Sequence, residues 1–330
     1  MTISIGYLLP TRERVMRDQP ETAALLRLAE LAESLGFDSL WAGDSLLARP
    51  RHDPLTLLAA VAARTFRVNV GTAVLLPVLR NPVVLAQQIA TLDQISGGRL
   101  ILGVGIGADN PAIRAEFAAA GVPFEARLGR TLEGLRLCRA LWAGEPVNWS
   151  GRWPIDGRSL GPVPHRRGGP PIWMGTSAPA GLQRTGKLFD GWFPLGPDAA
   201  TYRSRWQAVH DSAAAAGRAD SVTAAMYLTV SIDADAAEAE RRLDDYLAQY
   251  YAPAPPTAMR RVQACYAGAA SGLSAWLAEF VAAGATHLVL RFVGDHERHL
   301  ETVANAKISD VLEAHAPPQH HATAATGHQP

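Results

Sequence analysis

Eight times along the chain a short β-rich run is followed by a segment with helical spacing, and this alternation constrains the fold more than any other feature. The strand readings cover residues 3–8, 38–42, 68–75, 100–104, 171–174, 191–194, 223–232 and 287–292. Helical readings lie between them, over 21–35, 54–66, 82–95, 128–142, 179–188, 199–216, 235–250 with 271–283, and 296–312. Pro54 and Pro82 stand where helices start and Gly36 where one stops, as the backbone demands of Pro and Gly at those positions. Residues 100–104 are almost uninterruptedly apolar, which suits a strand covered on both faces. Such alternation predicts a parallel sheet, and eight units predict its closure into a (β/α)8 TIM barrel. A doubly wound open sheet is the alternative. No G-x-G-x-x-G follows the first strand, which counts against its dinucleotide-binding version.

With 330 residues, 48% of them apolar, the chain has material for one barrel spanning residues 1–312. Two stretches break the rhythm. Residues 145–170, with Trp149, Gly151 and Trp153, read as a small hairpin excursion, and 251–272 as an extra helical insertion at the C-terminal rim. Residues 313–330 read as a disordered tail whose histidines are solvated. Lys plus Arg and Asp plus Glu number 31 each without long runs, so neither a nucleic-acid footprint nor a membrane-binding patch is expected. Cys138 and Cys265 fall in helical patterns and read as buried thiols, with neither disulfide nor metal spacing. The N-terminus reads as a first strand, not a signal peptide, and no run is long enough to span a bilayer; a cytoplasmic protein is expected.

Barrels of this kind carry their chemistry on the loops after the strands. The residues there are Asp44 and Ser45, Ala73 and Val74, Gly105 to Asn110, Gly175 to Ser177, Gly196 and Arg291. Gly175-Thr176-Ser177 leads straight into a helix with Pro179 at its start, where free N–H groups and hydroxyls suit a phosphate; the alternative is that Ser177 caps the helix. Gly103, Gly105 and Gly107 permit a close approach of backbone to a flat ligand, or serve a tight turn. Asp44 either accepts from a ligand hydroxyl or pairs with Arg49 or Arg51. His52 and His165 lie in loops, as proton shuttles or as solvent-exposed side chains. Trp41, Leu46, Leu76, Leu79 and Trp173 suggest an apolar mouth.

The stretch RNPVVLAQQIATLDQISGGRLILGVGIG, residues 80–107, resembles the luciferase-like monooxygenase superfamily, and LDQISGGR is its most specific part. The likeness extends through LAESLGFDSLWAGDS, LWAGEPV, PIWMGTSAPAGLQRTGKLFDGWFP and GATHLVLRFVGD. It implies a (β/α)8 barrel, a homodimer, and a cofactor that is either reduced FMN or coenzyme F420, with no metal. It places Gly175, Thr176 and Ser177 at the cofactor phosphate, and Asp44, Ala73, Val74, Gly105 and Gly107 around the ring system. It also implies a non-prolyl cis peptide at Ala73-Val74. Asp44, Asp109 and His52 are then the catalytic candidates, and Trp41, Ser45, Trp173 and Arg291 the substrate-pocket candidates.

Two departures matter. Ser45 stands where many members carry His, and Ala108 where some F420 dehydrogenases carry Glu, which argues against a sugar-phosphate dehydrogenase. Asp109 either replaces that carboxylate or caps the next turn. The leading expectation is a monooxygenase using reduced FMN and oxygen on a small organic substrate. The alternatives are F420-dependent hydride transfer and a flavin-binding protein without catalysis. With no NAD(P)H fingerprint in the chain, a separate flavin or F420 reductase is the expected partner.

Overall fold

The computed structural model describes residues 2–308 and Leu312. Its strands are β1 (Ser4–Leu8), β2 (Ser39–Ala42), β3 (Asn69–Thr72), β4 (Leu100–Val104), β5 (Val147–Trp149), β6 (Ile155–Arg158), β7 (Ile172–Met174), β8 (Gly191–Trp192), β9 (Thr223–Ile232), β10 (Cys265–Gly268) and β11 (His287–Phe292). Eight of them, in the order β9-β11-β1-β2-β3-β4-β7-β8, form a parallel sheet that closes where β8 meets β9 through Gly191–Thr223 and Trp192–Ala224. Helices connect the strands outside, so the fold is the expected (β/α)8 barrel.

β8 has only two residues, whereas β9 has ten. The far half of β9 therefore has an edge that β8 does not cover, and β10 fills it in register with Thr229–Ile232. This corrects the helical reading of 251–272. The segment holds one short helix, Pro256–Arg260, and then a strand. Cys265 is accordingly in a strand and only partly buried, whereas Cys138 is buried in the helix Arg127–Trp142. The excursion at 145–170 contains the antiparallel hairpin β5-β6. Short helices at Thr11–Met16 and Pro111–Ala119 sit in loops where none was read. The third strand ends at Thr72, and the next peptide, Ala73-Val74, is cis. The tail reading for 313–330 lies outside the described residues. Among the described residues, no helix is long and apolar enough to cross a membrane.

Aromatic side chains fill the barrel. Trp41 and Trp173 lie 5.4 Å apart between ring centroids, with Phe193 4.9 Å from Trp41 and His287 5.1 Å from Trp173. They fit because the neighbouring strand offers glycine at the paired position: a Cβ on Gly71 would overlap the six-membered ring of Trp41, and one on Gly191 would overlap Trp173. The indole N–H of Trp41 donates to Ser39 Oγ at 2.7 Å, which bonds His287 Nε2 at 2.7 Å, so the Trp41 N–H is satisfied inside the plug.

The LDQISGGR stretch serves this scaffold. Gly97 and Gly98 take φ of 65° and 82°, which turns the chain out of the helix Pro82–Ser96. Arg99 then donates to the carbonyls of Ser96, Val68, Ala62 and Thr65 at 2.6–2.9 Å, tying the ends of two helices to the start of β3. Asp93 is buried and accepts from the Arg166 N–H at 2.8 Å, which anchors the excursion to the same corner.

Replacing Arg99 with Met should strand several carbonyls and lower unfolding free energy by roughly 2–4 kcal/mol, read from urea denaturation. A second expectation concerns pH. Burial pulls His287 to about 4, His296 to about 3 and His299 to about 4, from an ordinary 6.5. The unfolded chain therefore takes up these protons first, so stability held above pH 6.5 is lost as pH falls toward 4. The denaturation midpoint should drop over that window, and His287→Gln should flatten the slope; an unchanged slope would contradict this assignment.

Candidate active site

At the C-terminal ends of the strands lies a cavity of about 410 Å³. The loop after β3 contributes Ala73, Val74 and Leu76, and the loop after β4 contributes Gly105 and Gly107. The turn after β7 contributes Gly175, Thr176 and Ser177, and the loop after β2 contributes Asp44. The structure thus brings every residue expected around the cofactor to one cavity, together with Arg291 from β11.

Asp44 is committed to structure. Its carboxylate takes a two-pronged ion pair from Arg80 at 2.6 and 3.1 Å and accepts the Leu76 N–H at 2.9 Å, with only 1% of the side chain exposed. Arg80 also reaches Asp53 at 2.9 Å, the residue that caps the helix Pro54–Arg64. Burial alone would lower the Arg80 pKa, but hydrogen bonds and charge from Asp44 and Asp53 raise it. The partner is therefore Arg80, not Arg49 or Arg51. The pair holds the loop that follows the cis peptide.

Val74 projects from that loop between two glycines. A Cβ on Gly105 would stand 2.8 Å from Cγ2 of Val74, and one on Gly175 3.2 Å from its Cγ1. Both close approaches require a missing side chain, so the glycines let the Val74 bulge lie flat against the neighbouring strand ends. Backbone bonds clamp either side of it: Ala73 N–H to Ala42 O at 2.8 Å and Leu75 N–H to Gly103 O at 2.8 Å.

At the turn after β7, the residue before the helix Pro179–Leu188 is Ala178, which offers no capping side chain. Ser177 does not cap; its hydroxyl donates to Leu195 O at 3.0 Å. The start of that helix thus has no side-chain acceptor of its own, and Thr176 and Ser177 just before it line the cavity. Gly181 gives Thr176 its room, since a Cβ there would overlap Thr176 Oγ1.

The opposite wall is aromatic and cationic. Arg291 is 1% exposed and donates to Tyr251 Oη and Thr229 Oγ1 at 2.8 Å and to Gln263 Oε1 at 3.0 Å. Its guanidinium lies over the rings of Tyr250 at 4.8 Å and Tyr227 at 5.2 Å. Arg49 lies over Tyr251 at 4.8 Å, and Arg51 donates to Arg49 O at 3.1 Å. Burial raises the Tyr227 and Tyr250 hydroxyls above their usual range, so both stay protonated at neutral pH. Sequence reading missed Tyr227, Tyr250 and Tyr251 at this site. Two of them close the helix Ala236–Tyr250, whose end swings over the barrel mouth only in three dimensions.

Several expected site residues lie elsewhere. Trp41 and Trp173 point inward from mid-strand and form the plug beneath the cavity rather than its wall. Ser45 is buried and donates to Glu116 Oε2 at 2.8 Å, bracing its own loop. The ring nitrogens of His52 sit against the carbonyls of Thr11 and Pro20 at 3.2 and 2.6 Å. Asp109 is exposed and paired with Arg114 at 2.7 Å. None of these residues lines the cavity, and neither do Leu46 and Leu79. His165 rests against Gly98, remote from the strand tips. Among the described residues, no group of three or more His, Cys, Asp or Glu is arranged to hold a metal ion.

The chain matches the profile of the luciferase-like monooxygenase family over residues 3–309. It is 35% identical over 221 residues to an F420-dependent glucose-6-phosphate dehydrogenase of Nocardia farcinica, covering 64% of this chain. That match spans 65% of the relative, a little under two thirds of its length. A 5,10-methylenetetrahydromethanopterin reductase of Methanolobus tindarius is 33% identical over 234 residues, or 71% of this chain and 69% of that one. The crystal structure of a monooxygenase from Streptomyces bottropensis superposes with a TM-score of 0.79 at 25% identity, covering 93% of this chain and 99% of its own.

Asp44→Asn should leave the Arg80 charge half-compensated in a buried loop. We expect a loss of roughly 3 kcal/mol in unfolding free energy, measured by denaturant titration. Wild-type stability in this variant would show that the pair does not hold the loop.

Proposed function

The chain belongs to the luciferase-like monooxygenase family, and from that premise we propose that it is a coenzyme F420-dependent oxidoreductase that transfers hydride to or from carbon of a small organic substrate. That it is an oxidoreductase of the flavin or F420 kind follows from its relatives. The choice of F420 over FMN is supported by the Nocardia relative, and it reverses the order in which the sequence ranked the two. The substrate of that relative is not carried over, since Ala108 stands at the cavity wall.

One observation carries the reading: Val74, in the loop of the cis peptide, and Thr176 and Ser177, in the turn before a helix without a side-chain cap, border the same cavity. A tricyclic ring with a phosphorylated side arm has the shape and charge for both. In this assignment the Thr176 and Ser177 turn holds the phosphate, and Val74, Gly105 and Gly175 present a surface that the ring can approach closely. When bound, the cofactor supplies the hydride chemistry at its ring carbon. Asp44 and Arg80 keep the bulge in place. The neutral hydroxyls of Tyr227 and Tyr250 are the groups on the facing wall able to hand a proton to substrate oxygen. A separate F420 reductase and a second copy of the chain complete the proposal.

The test is titration of the protein with F420 and with FMN, followed by fluorescence, with oxygen uptake recorded on adding reduced FMN. F420 is expected to bind, with Thr176→Val weakening it about tenfold, and no oxygen uptake above that of free reduced FMN is expected. Tight FMN binding with protein-dependent oxygen consumption would instead support the monooxygenase reading.

A further inference from the structure

The cationic wall has more positive charge than the fold neutralises. Arg49, Arg51 and Arg291 line the cavity, and Arg12 stands behind Tyr250, 4.9 Å from its ring. Among the described residues, none of these four guanidinium groups has an ion-pair partner within 4.0 Å. The carboxylate that acts on Arg12 and Arg51 is Glu13, and Tyr246 donates its hydroxyl to Glu13 Oε1. Asp44, the carboxylate in the cavity wall, is already neutralised by Arg80.

Buried N–H groups are left over as well. Nε of Arg291 and Nε and Nη1 of Arg12 are buried without a hydrogen-bond partner. Burial lowers the Arg12 pKa despite the opposing effect of Tyr250 and Glu13, whereas in Arg51 and Arg291 the surrounding tyrosines outweigh burial and raise it. Uncompensated buried cations are costly unless a partner joins them. Guanidinium forks in such a place match the planar or tetrahedral oxygens of a carboxylate or phosphate.

The position in the barrel says which molecule brings that anion. In the closed order of eight strands, β7 is diametrically opposite β1. The Thr176 turn follows β7. Arg12 follows β1, Arg291 belongs to the adjoining β11, and Arg49 and Arg51 follow the adjoining β2. A cofactor phosphate held at Thr176 therefore leaves the arginine wall unpaired on the far side.

We propose that the arginine wall formed by Arg49, Arg51 and Arg291, backed by Arg12, is the binding subsite for an oxyanionic group of the substrate, a carboxylate or a phosphate monoester. This rests on the cofactor assignment above, since that assignment reserves the opposite cradle. The wall orients the substrate by its charged end and leaves the carbon to be oxidised or reduced over the centre of the cavity. It also selects against neutral analogues, because an uncharged group leaves the desolvated guanidiniums without a partner.

The experiment is calorimetric titration of the full chain with inorganic phosphate and with citrate, at low ionic strength, in wild type, Arg51→Met, Arg49→Met and Thr176→Val. F420 binding is measured alongside by fluorescence, with and without saturating phosphate. Both anions are expected to bind the F420-saturated wild type, to weaken about tenfold there in Arg51→Met and Arg49→Met, and to lose in Thr176→Val only the binding that F420 displaces. Circular dichroism spectra matching wild type show that the variants fold; Arg51→Lys, which keeps the charge, should recover part of the affinity. Anions that fail to bind the F420 complex, or that bind the arginine variants of it equally well, would overturn the proposal. The two readings fail separately: loss of F420 binding with arginine-dependent anion binding intact removes the cofactor assignment and leaves the anion subsite.

Discussion

Two indole rings pressed onto glycines inside the barrel set the conditions for everything above them. Trp41 and Trp173 occupy the space that side chains on Gly71 and Gly191 would take, and Phe193 and His287 pack around them. A barrel interior is as closely packed as any protein core, so this layer is a floor and not a channel. It closes the barrel below the strand tips and leaves one cavity above. Because the plug is rigid, the loops that rise from the strand ends start from fixed positions, and the Val74 bulge inherits that precision.

The cavity over this floor is electrostatically two-sided. On one side the turn of Thr176 and Ser177, just before a helix start, carries hydroxyls and no fixed charge. On the other, guanidinium groups stack on tyrosine rings, which spread the charge but do not cancel it. Between the two, Asp44 and Arg80 neutralise each other and hold the loop after the cis peptide. Two oxyanions at opposite ends, with an uncharged reacting centre between them, satisfy this distribution. The floor fixes the depth of such an arrangement and the two charged ends fix its direction.

Much of the fold was legible in the residues, and part of the site. The Gly-Thr-Ser turn before Pro179 and the glycines after β4 lie at the cavity wall because β4 and β7 end where local pattern places them. The most specific motif, LDQISGGR, turned out to say nothing about chemistry: Arg99 spends its donors on backbone carbonyls and Asp93 is buried beneath the hairpin excursion. Its signal is strong because left-handed glycines and a multiply bonded arginine tolerate few replacements. Trp41 and Trp173 misled for a related reason. An aromatic residue near a strand end suits a plug and a pocket equally well, since the two are successive layers on the same face of a strand, two residues apart.

What the sequence by itself determined is whatever depends on neighbours along the chain. The alternation of periods two and three to four, the glycine and proline punctuation, and the helix starts are set by backbone sterics over a few residues, and they suffice for an eight-unit barrel. What only the tertiary structure decided is which distant groups meet. Asp44 pairs with a residue 36 positions away, and Arg291 meets Tyr251 across 40. Closure of the barrel also turns the tips of β1, β2 and β11 into one cationic face opposite β7. Ion pairs and cavities depend on distance in space, and local pattern carries no record of that distance until the chain has closed on itself.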